Sequence, residues 1–539
     1  MTSAAVAGAA SISERIEARP VWQIQLGAMA AGAVATLGHA PFFFTPAYVA
    51  GLVALIFLLD GAMRRPKPAS AAFARAWSFA FGHFLTGMYW VGFAFLQVEG
   101  AAPFIPLAVS ALPAGLALFW GAAGALSTSL WTKDYRRIPV FAAVFGFAEF
   151  LRGFIFTGFP WQIPAAIWPA GGAISQTASI VGATGLSVLT LLVLAAPAAG
   201  ADRTSSLRRF GPVLLAALAL GLTWGAGSRR LEANPERAVG PVVRVLDPGL
   251  SQEQKWSLDP ADVLIRYLDL TGPARDAPAE VVIWPEGAVP PTYFVGDDAP
   301  RSMLDRADMM AEIGRVLQDR VLIAGTVRAE RGKDGLKQYN SAVVIDGVSG
   351  EPRISQISNK HHLVPFGEYM PFWELYSSVP IAPLQMVGQG FTPGVRPERL
   401  VVPGAPPATV LICYEGIFPR LSPRGPERPD WLVNISIDGW YGRQTGPWQH
   451  VNLVKFRAIE EGLPLARAAS GGVSGIFDAY GRTIVATKLD GGAVEAPLPE
   501  ALPPTFFARF GAVSTPILLI LVLALRFGLP RTPGRGFRS

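Results

Sequence analysis

The sequence predicts a polytopic α-helical membrane domain joined to a soluble α/β domain. Three observations predict it. Of 539 residues, 51% are hydrophobic and only 16% charged, with a mean hydropathy of +0.34, the balance of a membrane protein. Eight apolar stretches are long enough, or nearly so, to cross a bilayer, seven before residue 240 and one after residue 500. Between them, residues 240–500 mix strand-like runs and helical patterns with turn-forming Gly, Pro and Asp. The expected division is 1–239 with about seven transmembrane helices, 240–500 as one soluble domain, and 501–539 as a last span with a tail.

The apolar stretches lie at about 21–38, 44–62, 73–97, 104–131, 138–152, 175–200, 211–227 and 508–528. Residues 1–20 are polar and rich in small residues. No cleavable signal is expected there, because the apolar segment after them runs on into further spans. The fifth stretch is short and contains Glu149 and Arg152 at i,i+3. These two can pair on one helical face, or Arg152 can snorkel to the interface.

Charge is split along the chain. Residues 240–500 carry 25 Lys+Arg against 31 Asp+Glu, and the remainder carries 21 against 9. The basic excess therefore belongs to the hydrophobic part, where it sets topology, and nucleic-acid binding is a poor explanation for it. Arg64, Arg65, Lys67 and Arg75 fall between spans two and three, Lys133, Arg136 and Arg137 between four and five, and Arg203, Arg208 and Arg209 between six and seven. Arg531, Arg535 and Arg538 follow the last span, while the alternate loops at about 39–43, 98–103 and 153–174 hold no Lys or Arg. The positive-inside rule then puts both termini in the cytoplasm and the polar region on the opposite side.

In residues 240–500, strands are expected at Val242–Leu246, Val281–Trp284, Val321–Gly325, Ala342–Ile345, Thr409–Ile412 and Leu432–Ile435, with helices over about 301–319 and 447–462. About 260 residues suffice for one core. No internal repeat is visible.

Three residues at strand ends could carry chemistry. Cys413, the only cysteine, ends the run ATVLI. A thiol there is held rigidly, and the turn after it offers backbone N–H groups to an oxyanion. A lone cysteine after a buried strand also fits a small core residue. Being single, it excludes a disulfide within the chain. Glu286, in VVIWPEGAVP, sits at the mouth of a sheet, where partial burial suits a carboxylate to general-base work; a solvated turn residue is the plainer reading. Lys360, in SNKHHLVPFGEYMPF, can face a developing oxyanion or simply be a surface lysine. His361 and His362 fit no metal-ligand spacing, and no metal or other cofactor is expected. Together the three suggest a Cys–Glu–Lys site in which the carboxylate takes the thiol proton and the ammonium lowers the thiol pKa.

WPEGAVP, NKHHLVPFGEYMP, LICYEG and NISIDGWYG with GPWQH together resemble the nitrilase superfamily, which implies an α-β-β-α sandwich with a Glu-Lys-Cys triad. With seven spans before that domain and one after, and with EFLRGFIFTGFPW at Glu149–Trp161, about residues 20–528 resemble the apolipoprotein N-acyltransferase family of the bacterial inner membrane. The resemblance implies Glu286 as general base, Lys360 as stabiliser of the intermediate and Cys413 as nucleophile. It implies that Glu368 assists the triad, and that Tyr414, Glu415 and Trp256 line the substrate site. It also implies the partners, a phospholipid acyl donor (in the family phosphatidylethanolamine) and a diacylglyceryl apolipoprotein acceptor, and a periplasmic catalytic domain. The chain departs from the family pattern at Ile437, where Asn is usual, and in the loop DPGLSQEQ before Trp256.

The implied reaction is a ping-pong acyl transfer through a thioester, the last step of lipoprotein maturation. A membrane-anchored amidase or nitrilase is the alternative enzyme, its thioester resolved by water. A transporter with an outer ligand-binding domain is the non-enzymatic alternative, but Asp60, Glu149 and Arg152 do not outline a charged path through the spans. Finally, Phe366–Phe391 is aromatic, Pro-broken, without a regular period and next to Lys360 and Glu368. It is expected to form a lid dipping into the outer leaflet.

Overall fold

The computed structural model describes residues 11–97, 100–202, 204–234, 238–250, 254, 258–273, 279–289, 307–332, 335–348, 351–371 and 390–528. Trp256 and most of the expected lid, residues 372–389, lie outside the described residues. Every apolar stretch becomes a helix near its expected place. After α1 (Ile12–Glu17) come α2 (Val21–Ala35), α3 (Thr45–Ala62), α4 (Pro68–Gly87), the short α5 (Val91–Leu96), α6 (Ile105–Ser127), α7 (Arg137–Arg152), α8 (Ala178–Ala195) and α9 (Ser206–Glu232). The third stretch differs from expectation, since its helix ends at Gly87 and resumes only as α5. Among the described residues, five helical segments are long and apolar enough to cross a membrane by length and composition.

Small residues let these helices pack closely. A Cβ on Gly32 of α2 would fall 1.9 Å from the Phe79 carbonyl oxygen, and one on Gly82 of α4 would fall 2.1 Å from that of Met29. Such backbone contact is how apolar helices associate where no hydrophobic force separates them from lipid. Charges among the spans are paired. Arg152 and Glu149 form a buried ion pair, and Trp120 Nε1 donates to Glu149 Oε1 at 2.8 Å. Of the two expected alternatives the structure takes pairing, because snorkelling would leave Glu149 unpartnered in an apolar bundle. Arg137 bridges Asp60 at 3.2 Å and Asp202 at 2.7 Å.

The soluble part is two sheets face to face. In chain order the strands are β1 (Ala238–Asp247), β2 (Val281–Ile283), β3 (Val321–Gly332), β4 (Gly335–Asp346), β5 (Arg353–Asn359), β6 (Ala408–Ile412), β7 (Trp431–Ile437), β8 (Leu465–Ser470), β9 (Gly475–Phe477), β10 (Thr483–Ala486) and β11 (Gly492–Pro499). One sheet has the order β11-β1-β2-β3-β4-β5 and the other β10-β9-β8-β7-β6. β1, β2 and β3 run parallel, as do β6, β7 and β8.

Alternation assigns each side chain to a layer. Val281 and Ile283 join Val410, Ile412, Val433 and Ile435 between the sheets. Val282 and Trp284 face outward onto α10 (Pro260–Thr271) and α11 (Ala307–Leu317). On the far side, Leu432 and Leu465 pack under α12 (Gly446–Glu461). Both sheets are thus covered on both faces, giving the α-β-β-α sandwich. The last helix, α13 (Phe506–Gly528), packs on α7 and α8.

Among the described residues, five strands are absent from the expectation; β9 (GIF) and β10 (TIVA) are too short to stand out, and the other three lack its signal. β5 alternates Arg, Ser and Gln with Ile at a sheet edge, β8 is LARAAS, and β11 contains two prolines. None is a run of large apolar residues.

The two parts share a core. Tyr414, Ile417, Phe418, Leu453, Phe456 and Ile459 of the soluble part belong to the same apolar cluster as the spans. Polar bonds pin the seam: Asn452 Oδ1 accepts from the Ala170 N–H at 2.8 Å, and Glu460 Oε1 accepts from the Ala183 N–H at 2.7 Å.

Candidate active site

Glu286, Lys360 and Cys413 each stand just past the C-terminal end of a strand, β2, β5 and β6 respectively. The ends of parallel strands are where open α/β sheets hold their ligands. All three side chains are buried, at 5%, 1% and 6% exposure. The Glu286 turn lies against β3, and a Cβ on Gly325 would fall 2.5 Å from the Glu286 Cα, so only glycine fits there.

The carboxylates and the ammonium form one network. Lys360 Nζ donates to Glu368 Oε1 at 2.7 Å and lies 3.5 Å from Glu286 Oε1. Asn340 Nδ2 donates to Glu286 Oε1 at 2.6 Å and to Glu368 Oε1 at 3.0 Å. Glu286 Oε2 accepts from the Ile437 backbone N–H at 3.0 Å, so the departure from the usual Asn does not touch this bond. Glu368 Oε2 accepts from the Val364 N–H at 2.8 Å. Burial pushes the Lys360 ammonium down, but Glu368, Glu286 and Cys413 outweigh it and hold its pKa above the ordinary value. Lys360 is therefore a fixed cation.

Cys413 opens a single turn of 3₁₀-helix, Cys413–Ile417, with φ +51, a conformation that L-residues adopt at a cost. Its Sγ lies 3.4 Å from Ser436 Oγ and 3.9 Å from the Tyr441 hydroxyl. Burial first, then the charge of Glu286, pushes the thiol up to about 12, with Lys360 pulling the other way. The expected lowering by the ammonium is present but outweighed, so at rest Cys413 is a thiol and needs a base.

Behind it sits a buried polar group. Asp438 Oδ1 accepts from Ser436 Oγ at 2.7 Å and lies 2.9 Å from His450 Nδ1, while Arg467 Nη2 donates to Oδ2 at 2.6 Å. Burial alone would raise the Asp438 carboxyl, yet Arg467 and His450 hold it well below the usual range. Ser436 has one hydroxyl hydrogen, and the carboxylate is the stronger acceptor. The hydroxyl's weaker donation, to Cys413 Sγ at 3.4 Å, pulls the thiol pKa down.

Glu415 and Tyr414 have other duties. Glu415 Oε1 accepts from the N–H groups of His361 at 2.8 Å and His362 at 3.0 Å, and Oε2 from Ile412 at 2.7 Å. It ties the turn after Lys360 to the strand before Cys413, its two oxygens occupied by backbone. The Tyr414 hydroxyl donates to the Gly158 carbonyl at 2.6 Å, and its ring packs on Phe418, centroids 4.8 Å apart. It binds the turn that carries Cys413 to the membrane part.

The membrane part packs on Tyr441, whose hydroxyl lies by the thiol. The Tyr441 ring sits 4.7 Å from Trp90 and 5.4 Å from Trp161, centroid to centroid. Gln449 Oε1 accepts from both indoles, at 3.1 and 2.8 Å. Asn340, Ser436, Asp438, Tyr441, His450 and Arg467 were not singled out from the sequence. Four of them lie in NISIDGWYG and GPWQH, and their polar types in a run due for burial were the available signal.

Two family models match the chain: the apolipoprotein N-acyltransferase N-terminal domain over residues 31–196 and carbon-nitrogen hydrolase over residues 249–492. The chain is 36% identical to an apolipoprotein N-acyltransferase of Rhodopseudomonas palustris, over 95% of this chain and 96% of the relative. It is 38% identical to one of Bradyrhizobium diazoefficiens, over 94% of each. A third, of Brucella melitensis biotype 1, is 36% identical over 94% of this chain and 96% of the relative. Sandwich, spans and full-length similarity agree: the chain belongs to the apolipoprotein N-acyltransferase family.

Proposed function

We propose that this chain moves a fatty acyl group from a membrane phospholipid, phosphatidylethanolamine in the first instance, to the α-amine of the diacylglyceryl-cysteine that begins an apolipoprotein. Cys413 carries the acyl group between the two. The observation that supports this most directly is the placing of a buried neutral thiol, Glu286 and the Lys360 ammonium at the ends of three strands, beside Tyr441, on which Trp90 and Trp161 of the membrane part pack.

Glu286 takes the Sγ–H proton as Sγ attacks the ester carbonyl, and the oxyanion develops against the Lys360 charge. Collapse expels the lysophospholipid alkoxide, which takes the proton from Glu286 and leaves a thioester. The acceptor amine then attacks the thioester. Glu286 takes its proton and returns it to the departing thiolate, so the thiol is restored. Glu368 and Asn340 keep Lys360 and Glu286 in register.

In this reading residues 1–239 and 501–539 hold the bilayer, both termini are cytoplasmic, and residues 240–500 work in the periplasm. The loop charges support that orientation. Holding the site at the bilayer surface replaces a three-dimensional search by local capture of two lipidated substrates.

Intact mass spectrometry of the purified protein with phospholipid is the test. An increment of one fatty acyl group, lost on hydroxylamine treatment and absent from Cys413→Ala, is expected. Acyl transfer by Cys413→Ala protein would overturn covalent catalysis.

A further inference from the structure

The turn that carries Cys413 runs on through Phe418 into a loop, residues 419–430, that the chemistry above leaves unused. This loop is dense in buried donors. Nε of Arg420, Arg424 and Arg428 and Oγ of Ser422 are all buried without a hydrogen-bond partner among the described residues, and Ser422 is only 5% exposed. Buried donors left unpaired are costly, so a run of them points to an acceptor that completes the site.

The arginines differ in what they already hold. Arg424 Nη2 donates to Glu461 Oε1 at 3.0 Å. Arg428 Nη2 donates to the carbonyls of Glu461, Leu502 and Gly462, at 2.8, 2.9 and 3.2 Å. The Arg420 guanidinium makes no ion pair with a described residue within 4.0 Å. It is half-buried, and the Arg396 guanidinium donates to its carbonyl oxygen. Burial first, then Arg424 and Arg396 beside it, pushes Arg420 below its ordinary pKa, with only Glu461 opposing. Arg420 does not escape by losing its proton, since guanidinium stays charged in proteins. What fits such a group is an acceptor-only anion, and the guanidinium fork matches phosphate oxygens in particular.

The position of the loop says which phosphate. Leu502, whose carbonyl Arg428 holds, lies just ahead of α13, where the chain passes into the membrane part. Phe418 and Leu421 pack on the apolar cluster of the spans. At the start of α13, Phe506 and Phe510 are exposed, their tilted rings 4.9 Å apart between centroids, at a place where a membrane interface favours aromatic residues. The loop therefore lies at headgroup depth. It also adjoins the site, because the Phe418 ring is 4.0 Å from His362 and 4.8 Å from Tyr414, the neighbour of Cys413.

We propose that Arg420 and Ser422, flanked by Arg396 and Arg424, form the subsite for the phosphate group of the phospholipid acyl donor. This rests on the acyl-transfer reading and adds to it a reason for phospholipid over other esters. A phosphate held here sets the glycerol ester beside the catalytic turn, so headgroup binding contributes orientation at the thiol.

Full-length wild type, Arg420→Gln and Ser422→Ala in lipid nanodiscs test it with two donors, phosphatidylethanolamine and the phosphate-free ester p-nitrophenyl palmitate. The ratio of kcat/KM for phospholipid over palmitate ester should fall about tenfold in Arg420→Gln, mainly through KM, and less in Ser422→Ala. An unchanged ratio overturns the subsite, and so does an equal loss with both donors. Native mass spectrometry of copurified phospholipid reads the subsite without turnover. Retention by wild type and loss in Arg420→Gln support it, and equal retention overturns it. Wild type that forms no thioester, with retention still dependent on Arg420, would count against acyl transfer and not against the subsite. Inorganic phosphate that binds wild type but not Arg420→Gln, with phospholipid retention unchanged, would assign the loop to free phosphate and overturn the lipid subsite.

Discussion

At the scale of single residues, the chemistry turns on who holds which proton. Glu286→Gln keeps the shape but has one oxygen to accept from Asn340 and the Ile437 N–H, which Glu286 serves with two, and it removes the carboxylate to which the proposed reaction gives the role of base. Acylation of Cys413 by phospholipid should fall about a thousandfold while the protein stays folded, as single-turnover mass spectrometry would show. Ser436 makes a subtler forecast. Its hydroxyl donates to Asp438 Oδ1 at 2.7 Å and also stands as donor to Cys413 Sγ at 3.4 Å, and what it gives the sulfur favours the thiolate. The groups whose charges act on Sγ are Glu286, Lys360 and Asp438, with the Tyr441 hydroxyl at 3.9 Å. With the thiol pushed up to about 12, wild-type alkylation by iodoacetamide should still be rising above pH 10. Ser436→Ala should move that profile to higher pH, with slower alkylation at pH 8. Faster alkylation would mean that the hydroxyl turns a lone pair toward sulfur instead.

At the scale of elements, two contacts decide whether the spans pack as they do. The α2–α4 crossing needs bare backbone at Gly32 and Gly82. Gly32→Ala sets a methyl against the Phe79 carbonyl and should cost about 1–3 kcal/mol, measured as a lower thermal midpoint in detergent. The Arg152–Glu149 pair is fully buried, so Arg152→Ala strands a carboxylate and should cost about 3–5 kcal/mol. A double change to apolar residues should recover much of that, which the same melting experiment can read.

At the scale of the whole molecule, α12 couples the two parts through Glu460. Burial lifts this carboxyl to about 7, against Arg457 and the Ala183 N–H, which favour the charged form. A carboxyl whose folded pKa is raised binds its proton more tightly in the folded state. Its contribution to stability is present in full below about pH 4.5 and is lost as pH rises through about 7. Glu460→Gln should remove that decline, so the wild-type and variant melting temperatures should differ in slope between pH 4.5 and 7. Topology offers a second test. Reporter fusions at Ser539 and near Gly335 should report opposite sides of the membrane, and a cytoplasmic signal from Gly335 would overturn the orientation.

The sequence by itself located the apolar helices, the inner strands and the strand-end positions of Glu286, Lys360 and Cys413, while Glu368 came from the family resemblance. The first three are written in local pattern: long apolar runs, Val/Ile runs between turns, and carboxylate, ammonium and thiol just past strand ends. Strands such as LARAAS and RISQISN were hidden because small or alternating polar residues become strand only when a neighbour supplies the ladder. The tertiary structure alone decided that Glu415 holds backbone and Tyr414 holds Gly158, since a side chain's partner depends on what the fold brings opposite it. It also decided the charge state of the thiol. Proximity of Lys360 argues for a thiolate, but burial in the sheet core, and then the charge of Glu286, raise the thiol by more than one shared ammonium lowers it.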